Sequence, residues 1–186
     1  LQLDAAPLGV GDEFTQDDVN LGRVSYAHDG SETTSDSFMF SLQDVNSGWI
    51  PGNTFTITIT PVNDAPVLEW SRELHIEEGA TTAILQIHLF ATDAESAPSE
   101  IVYTVTMFPM NGYLQLNGVT MSLGGVEKFS QADIDAGLLT YTHTASNMDP
   151  DAFLFTFTDG EYVEGPEEFI ILISFKDRKG SWWMMR

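Results

Sequence analysis

The chain carries the same stretch twice. Residues 14–44, FTQDDVNLGRVSYAHDGSETTSDSFMFSLQD, return 115 positions later as residues 129–159, FSQADIDAGLLTYTHTASNMDPDAFLFTFTD, without a gap. Eleven of these 31 positions are identical: Phe14, Gln16, Asp18, Gly22, Tyr26, His28, Ser31, Asp36, Phe38, Phe40 and Asp44 recur as Phe129, Gln131, Asp133, Gly137, Tyr141, His143, Ser146, Asp151, Phe153, Phe155 and Asp159. Solenoid repeats recur every ~20 to 50 residues, so a period this long marks tandem whole domains. Whatever the chain folds into, it forms in series.

The second copy has a long lead-in, Val67 to Lys128, whereas the first has only Leu1 to Glu13. The expectation is a partial repeat over residues 1–64 with its N-terminal strands missing, then a complete repeat over residues 65–178. Residues 179–186, KGSWWMMR, fit neither strand nor repeat pattern and are read as a non-native or truncation-derived tail.

Asp and Glu total 28 against 7 Lys and Arg, a net charge of -21. Such a surface repels phosphate backbones and anionic headgroups, which argues against nucleic-acid and direct membrane partners. With 42% hydrophobic residues the chain still has the means to bury a core, so it is not an acidic disordered tail. It has no cysteine, hence no disulfide or thiolate metal site.

The local patterns are overwhelmingly β. Strands are expected over residues 23–27, 37–42, 54–60, 73–76, 83–89, 101–107, 112–116, 138–142, 152–158 and 168–175, where β-branched and aromatic residues alternate between turn residues. Residues 54–60, TFTITIT, set Phe55, Ile57 and Ile59 on one face and threonines on the other. One short helix is expected in each copy. Thr15 and Ser130 are N-cap residues with Asp18 and Asp133 three positions on, and Gly22 and Gly137 stand where a C-cap glycine belongs. Prolines bracket the connection at residues 61–66, PVNDAP, and keep it extended. The fold class is therefore all-β, with sandwiches of about seven strands, Ig-like in architecture, strung in tandem, each with one short helix.

The combination of PVNDAP, LFATDAES with a following YTVT, PMNGYL, FSQADIDAGLLTYTH and DAFLFTFTDG resembles the chondroitin sulfate proteoglycan (CSPG) repeat. It looks most like the repeats of the FRAS and FREM extracellular matrix proteins, modules related to cadherin domains. The resemblance covers residues 14–173 and implies a cadherin-like, non-enzymatic module. It further implies a secreted or cell-surface parent in matrix or basement membrane, with other matrix or cell-surface proteins as partners in adhesion and matrix assembly. A second reading is an accessory module of a secreted microbial enzyme or giant surface adhesin.

Cadherin-like modules place calcium at the junction between domains, and the matching positions here are Asn63 and Asp64 in the linker, Glu77 and Glu78 in EEG, and Asp93 and Glu95 in TDAES. Calcium takes six to eight oxygen ligands from convergent segments, which this set can supply in part. The cadherin linker form is DxNDN; Pro61 and Ala65 replace two of its ligands. Asn-Asp between prolines is equally an ordinary turn signal, so a solvated acidic hinge stands beside the calcium reading.

Other constellations point to structure. Tyr-x-His places Tyr26 with His28, and Tyr141 with His143, on one strand face, with an imidazole expected to bond a loop backbone. No GxSxG-like turn supplies a nucleophile. Asp36 and Asp44, like Asp151 and Asp159, are separated by a strand of roughly 26 Å at about 3.3 Å per residue, too far for a catalytic pair; turn capping is the expected role. Phe38, Phe40, Phe153 and Phe155 are expected in cores, and Trp49 on a loop. Ser47-Gly48 is the minimal glycosaminoglycan-attachment dipeptide, which arises by chance in any chain of this length.

Overall fold

The structure is a computed structural model describing residues 1–175; the tail expected at 179–186 lies outside the described residues. The chain divides into two compact units, Leu1–Pro61 and the part from Val62 onward, and the division falls inside the proline-bracketed linker.

Unit 1 contains β1 (Gln2–Leu3), β2 (Ala6–Pro7), α1 (Gln16–Asn20), β3 (Val24–Ser25), β4 (Ser35–Gln43) and β5 (Trp49–Thr58). β2, β1 and β3 form a three-stranded sheet, and β4 and β5 form a hairpin. Unit 2 contains β6 (Val67–Ser71), β7 (Leu74–Glu77), β8 (Thr81–Ala83), β9 (Leu89–Thr92), β10 (Val102–Met107), β11 (Gly112–Leu116), β12 (Val119–Thr120), β13 (Lys128–Ser130), α2 (Gln131–Asp135), β14 (Leu139–His143), β15 (Asp151–Thr158) and β16 (Val163–Ser174).

Unit 2 is a sandwich. One sheet has the order β13-β10-β15-β16-β7 and the other β12-β11-β14-β8. The first long segment serves two partners: β6 runs antiparallel to β9, and β7 then runs parallel to β16. The period-two pattern of β15 sends Phe153, Phe155 and Phe157 inward, where they meet Tyr103 and Phe169, with Phe129 stacked on Tyr103. From the other sheet come Leu114, Leu139 and Tyr141. Each such side chain contributes about 1.5–3 kcal/mol through burial, so this layer holds the module together.

The two short helices form as the capping pattern requires. Thr15 and Ser130 each accept from the N–H of the Asp three residues on, and that Asp accepts from the cap N–H in return. Gly22 and Gly137 follow the last turn, both at φ of 69°, where a side chain on an L residue is strained. Arg23 N–H reaches back to Asp18 O, and Leu138 N–H to Asp133 O, at 2.9 Å in both copies.

The copies differ in what covers them. Phe38 faces Phe55 across the unit 1 hairpin as Phe153 faces Phe169 in unit 2, with ring centroids 5.2 and 5.0 Å apart. Phe169 is fully buried, whereas Phe55 is 54% exposed. No apolar side chain of unit 1 is fully buried among the described residues, so the expected core role of Phe38 and Phe40 is only partly realised there.

One expected strand is corrected. Residues 83–89 do not run as a single strand: β8 ends at Ala83, the chain turns with His88 N–H and Leu89 N–H both donating to Leu85 O, and β9 begins at Leu89. The break lets the segment leave β14 and pair with β6, while Ile84 and Leu89 stay buried on either side. The short strands β1, β2, β12 and β13 carry too few residues to show a pattern in sequence, and β6, with five residues alternating in burial, is not among the expected strands.

Candidate cation site at the linker end of unit 2

The linker is anchored by a side chain. Asn63 donates its amide N–H to Asp159 Oδ2 at 2.7 Å and to Asp64 O at 3.1 Å. Asp159 follows β15, and its other oxygen accepts from Glu161 and Tyr162 N–H, which closes the turn into β16. The Asn63 bond, followed by those two turn N–H groups, holds the Asp159 carboxyl below the usual carboxylate range.

Antiparallel pairing of Val67 with Thr92 carries Asp93 and Glu95 to the same end. Asp93 Oδ1 accepts from Glu95 and Ser96 N–H, so it caps its own turn. Its Oδ2 is buried without a hydrogen-bond partner among the described residues. Asp64 N–H points to Glu95 Oε2 at 3.5 Å, the long limit of a hydrogen bond, and one carboxylate oxygen from each lies within 4.8 Å of the other. Asp64, Ala65, Val67, Thr92, Asp93 and Ala94 line an open hollow.

Of the six candidate ligands, Asn63, Asp64, Asp93 and Glu95 therefore gather at one end. Glu77 and Glu78 do not. Glu78 N–H donates to Ser174 O, and the next residue, Gly79, donates to His143 Nδ1. That is the end where β15 begins at Asp151, and β15 spans about 26 Å at 3.3 Å per residue before reaching Asp159. Sequence proximity of EEG to the linker is undone by β6 and β7, which run the length of the module. The partner of Asn63 was missed in sequence, where Asp159 reads as a turn cap.

The remaining constellations are structural. His143 is 1% exposed; its Nδ1 accepts from Gly79 N–H at 3.2 Å and its own N–H donates to Ala80 O. No hydroxyl among the described residues meets its Nε2, so no nucleophile is held against it. In unit 1 the same ring bonds Thr33, whose place is taken by Met148 in the second copy. Asp44 accepts from Asn46 and Gly48 N–H, and Asp151 from Met110, Asn111 and Ala152 N–H. Gln131 is a buried hub that the repeat flags without explaining: its Oε1 accepts from Ala91 N–H and Tyr103 hydroxyl, and its Nε2 donates to Asp135. Trp49, expected on a loop, instead begins β5 opposite Gln43 and is 58% exposed.

A family model described as Cadherin-like matches residues 1–59 and 66–173. The chain belongs to the cadherin-like family. Its two matched stretches fall on either side of the linker, so each unit is a cadherin-like repeat of the CSPG type. The chain is 37% identical to human chondroitin sulfate proteoglycan 4 over 143 residues, which is 75% of this chain and 6% of that protein. It is 31% identical to the human extracellular matrix organizing protein FRAS1 over 152 residues, 79% of this chain and 4% of that protein. It is 32% identical to extracellular matrix protein 3 of Lytechinus variegatus over 171 residues, 81% of this chain and 6% of that protein. The cadherin-like pair thus spans under a tenth of the length of these relatives.

The linker-end residues suit a hard cation. Oxygen donors from two segments, the linker and the turn after β9, lie at this end, and the buried Asp93 Oδ2, without a hydrogen-bond partner among the described residues, is the kind of atom that coordination satisfies. Calcium would take Asp64, Asp93 and Glu95 carboxylates with the Asn63 amide oxygen, and would supply positive charge where carboxylates repel.

Proposed function

We propose that the chain is an extracellular matrix repeat module, non-enzymatic, that spaces and presents surfaces to other matrix or cell-surface proteins in adhesion and matrix assembly. The observation that carries this is the pairing of two cadherin-like repeats whose polar residues are spent on caps, turns and a linker anchor. The buried His143, with no hydroxyl partner among the described residues, and Asp151 and Asp159, committed to backbone N–H groups, support the non-enzymatic reading.

Calcium belongs to the same proposal. Held by Asp64, Asp93 and Glu95, it would pin the PVNDAP segment to unit 2 and stiffen the path of the chain. The missing cadherin ligands at Pro61 and Ala65 make this a reduced site, of the 10⁻⁴–10⁻³ M order common for extracellular modules. Calorimetric titration with calcium, and melting with and without it, test the point. The wild type is expected to bind and to melt higher with calcium, and Asp64→Ala combined with Asp93→Ala to do neither. Equal responses from the two proteins overturn the calcium reading and leave the module reading intact.

A further inference from the structure

Among residues 1–175 of this strongly acidic chain, Lys and Arg number three: Arg23, Arg72 and Lys128. Arg23 is engaged with Asp4 and Asp18. Arg72 makes no ion pair with the described residues; its guanidinium lies over the Trp70 ring, 4.8 Å from the centroid. Two of the four histidines stand beside it. Arg72 N–H donates to His88 O at 2.7 Å, and His75 follows on β7 with its Nε2 3.7 Å from Glu73 Oε2; burial lowers the His88 pKa, so that imidazole is uncharged at neutral pH.

The same surface has an apolar centre. Trp70 packs on Phe90 with centroids 4.9 Å apart, and its indole N–H donates to Gln86 O, which fixes the turn that presents Leu85 and Ile87. Those two are 40% and 62% exposed. Tryptophan and arginine around exposed aliphatics is the composition of an interface centre.

The complement lies next to it on the same module. Tyr162 and Val163 are exposed among Glu161, Glu164, Glu167 and Glu168. β16 begins in this segment and later pairs with β7, and Ser71 Oγ donates to Glu168 O at 3.1 Å. Two complementary patches side by side on one rigid sandwich satisfy each other when a copy is related to its neighbour by a two-fold axis.

We propose that the Trp70–Arg72–His88 surface of one copy docks the Glu161–Glu168 strand of a second copy, with the reciprocal contact closing a dimer. The large net negative charge opposes approach at long range, but at physiological salt it is screened beyond about 8 Å, which leaves the local match to decide. The proposal shares no residue with the calcium set and stands whether or not calcium binds.

Sedimentation equilibrium of the full chain from about 10 µM to about 1 mM, a range that brackets weak specific pairing, tests it. A reversible dimer is expected, and Arg72→Glu or Glu164→Lys is expected to raise its Kd about tenfold or more, since each sets like charges together. Mixing these two variants leaves one contact unchanged and exchanges the charges across the other, so the heterodimer should be tighter than either homodimer. Both positions are exposed, and unchanged circular dichroism checks that the fold is kept. A monomer across the whole range overturns the proposal. So does self-association indifferent to both substitutions, which would assign it to the open apolar surface of unit 1.

Discussion

Tyr141 donates its hydroxyl to Asp151 at 2.7 Å, and the equivalent Tyr26 donates to Asp36 at 2.8 Å. The pair survives duplication because it joins the strand after the helix to the strand after the turn. In unit 2, Asp151 also accepts from Met110 and Asn111 N–H at 2.9 Å, so one carboxylate ties β14, β15 and the loop before β11. Burial, then the Asp151 bond, pushes the Tyr141 hydroxyl far above its usual pKa and keeps it a donor at every working pH.

Tyr141→Phe should destabilise unit 2 by about 1–3 kcal/mol, because it leaves a buried carboxylate one donor short. Tyr26→Phe breaks the same bond where Asp36 is exposed and should change stability by less than about 0.5 kcal/mol. Urea denaturation of both variants checks the contrast.

Gly112 allows the close approach of β11 to β14. A Cβ there would stand 2.3 Å from Thr142 O and 2.5 Å from the Tyr141 hydroxyl. Neither a backbone carbonyl nor a buried ring whose hydroxyl is held by Asp151 moves aside cheaply, so Gly112→Ala should cost about 1–3 kcal/mol or more. The substitution should also shift the amide signals of Gln115 and Thr142 in NMR spectra.

Gln131→Leu should orphan Ala91 N–H and the Tyr103 hydroxyl together, at a cost of about 2–4 kcal/mol for two unsatisfied buried donors. Tyr103→Phe made in the same chain removes one orphan. The double variant should therefore lose less than the sum of the singles, and a double-mutant cycle from denaturation curves measures that coupling.

The Asp159 carboxyl has a folded pKa below its unfolded value near 3.8, chiefly because Asn63 donates to it. The folded state thus binds fewer protons than the unfolded state between those two values. The stabilising contribution is complete above about pH 3.8 and is lost as pH falls through the folded value. Carbon-detected NMR titration should place Asp159 below the ordinary aspartate range, and Asn63→Ala should return it towards 3.8. A midpoint unmoved by that substitution contradicts the anchor.

Much of the fold was legible because β pattern, caps and turn residues are local. The capping boxes at Thr15 and Ser130, the C-cap glycines and β11 stand where residue chemistry puts them. The run AILQIHL misleads because a continuous apolar stretch looks the same whether it crosses the core once or turns inside it. Half-exposed Phe55 and buried Phe169 are equally apolar in sequence; what separates them is the set of strands laid over one and not the other.

The candidate site was legible as a set of residue types and not as a place. Asn63, Asp64, Asp93 and Glu95 are drawn together by the β6–β9 register, whereas Glu77, though nearer to Asp64 in sequence than Asp93 is, is carried away along the sandwich. Residue order alone determined that this protein is a tandem of β modules with capped one-turn helices and a proline-bracketed linker, since the tandem is written as a repeat 115 positions apart and the caps and prolines depend on neighbours a few positions apart. Only the tertiary structure decided which carboxylates share an end, which phenylalanines are covered and which arginine stands free of the described acids, because these depend on strand pairing between residues tens of positions apart.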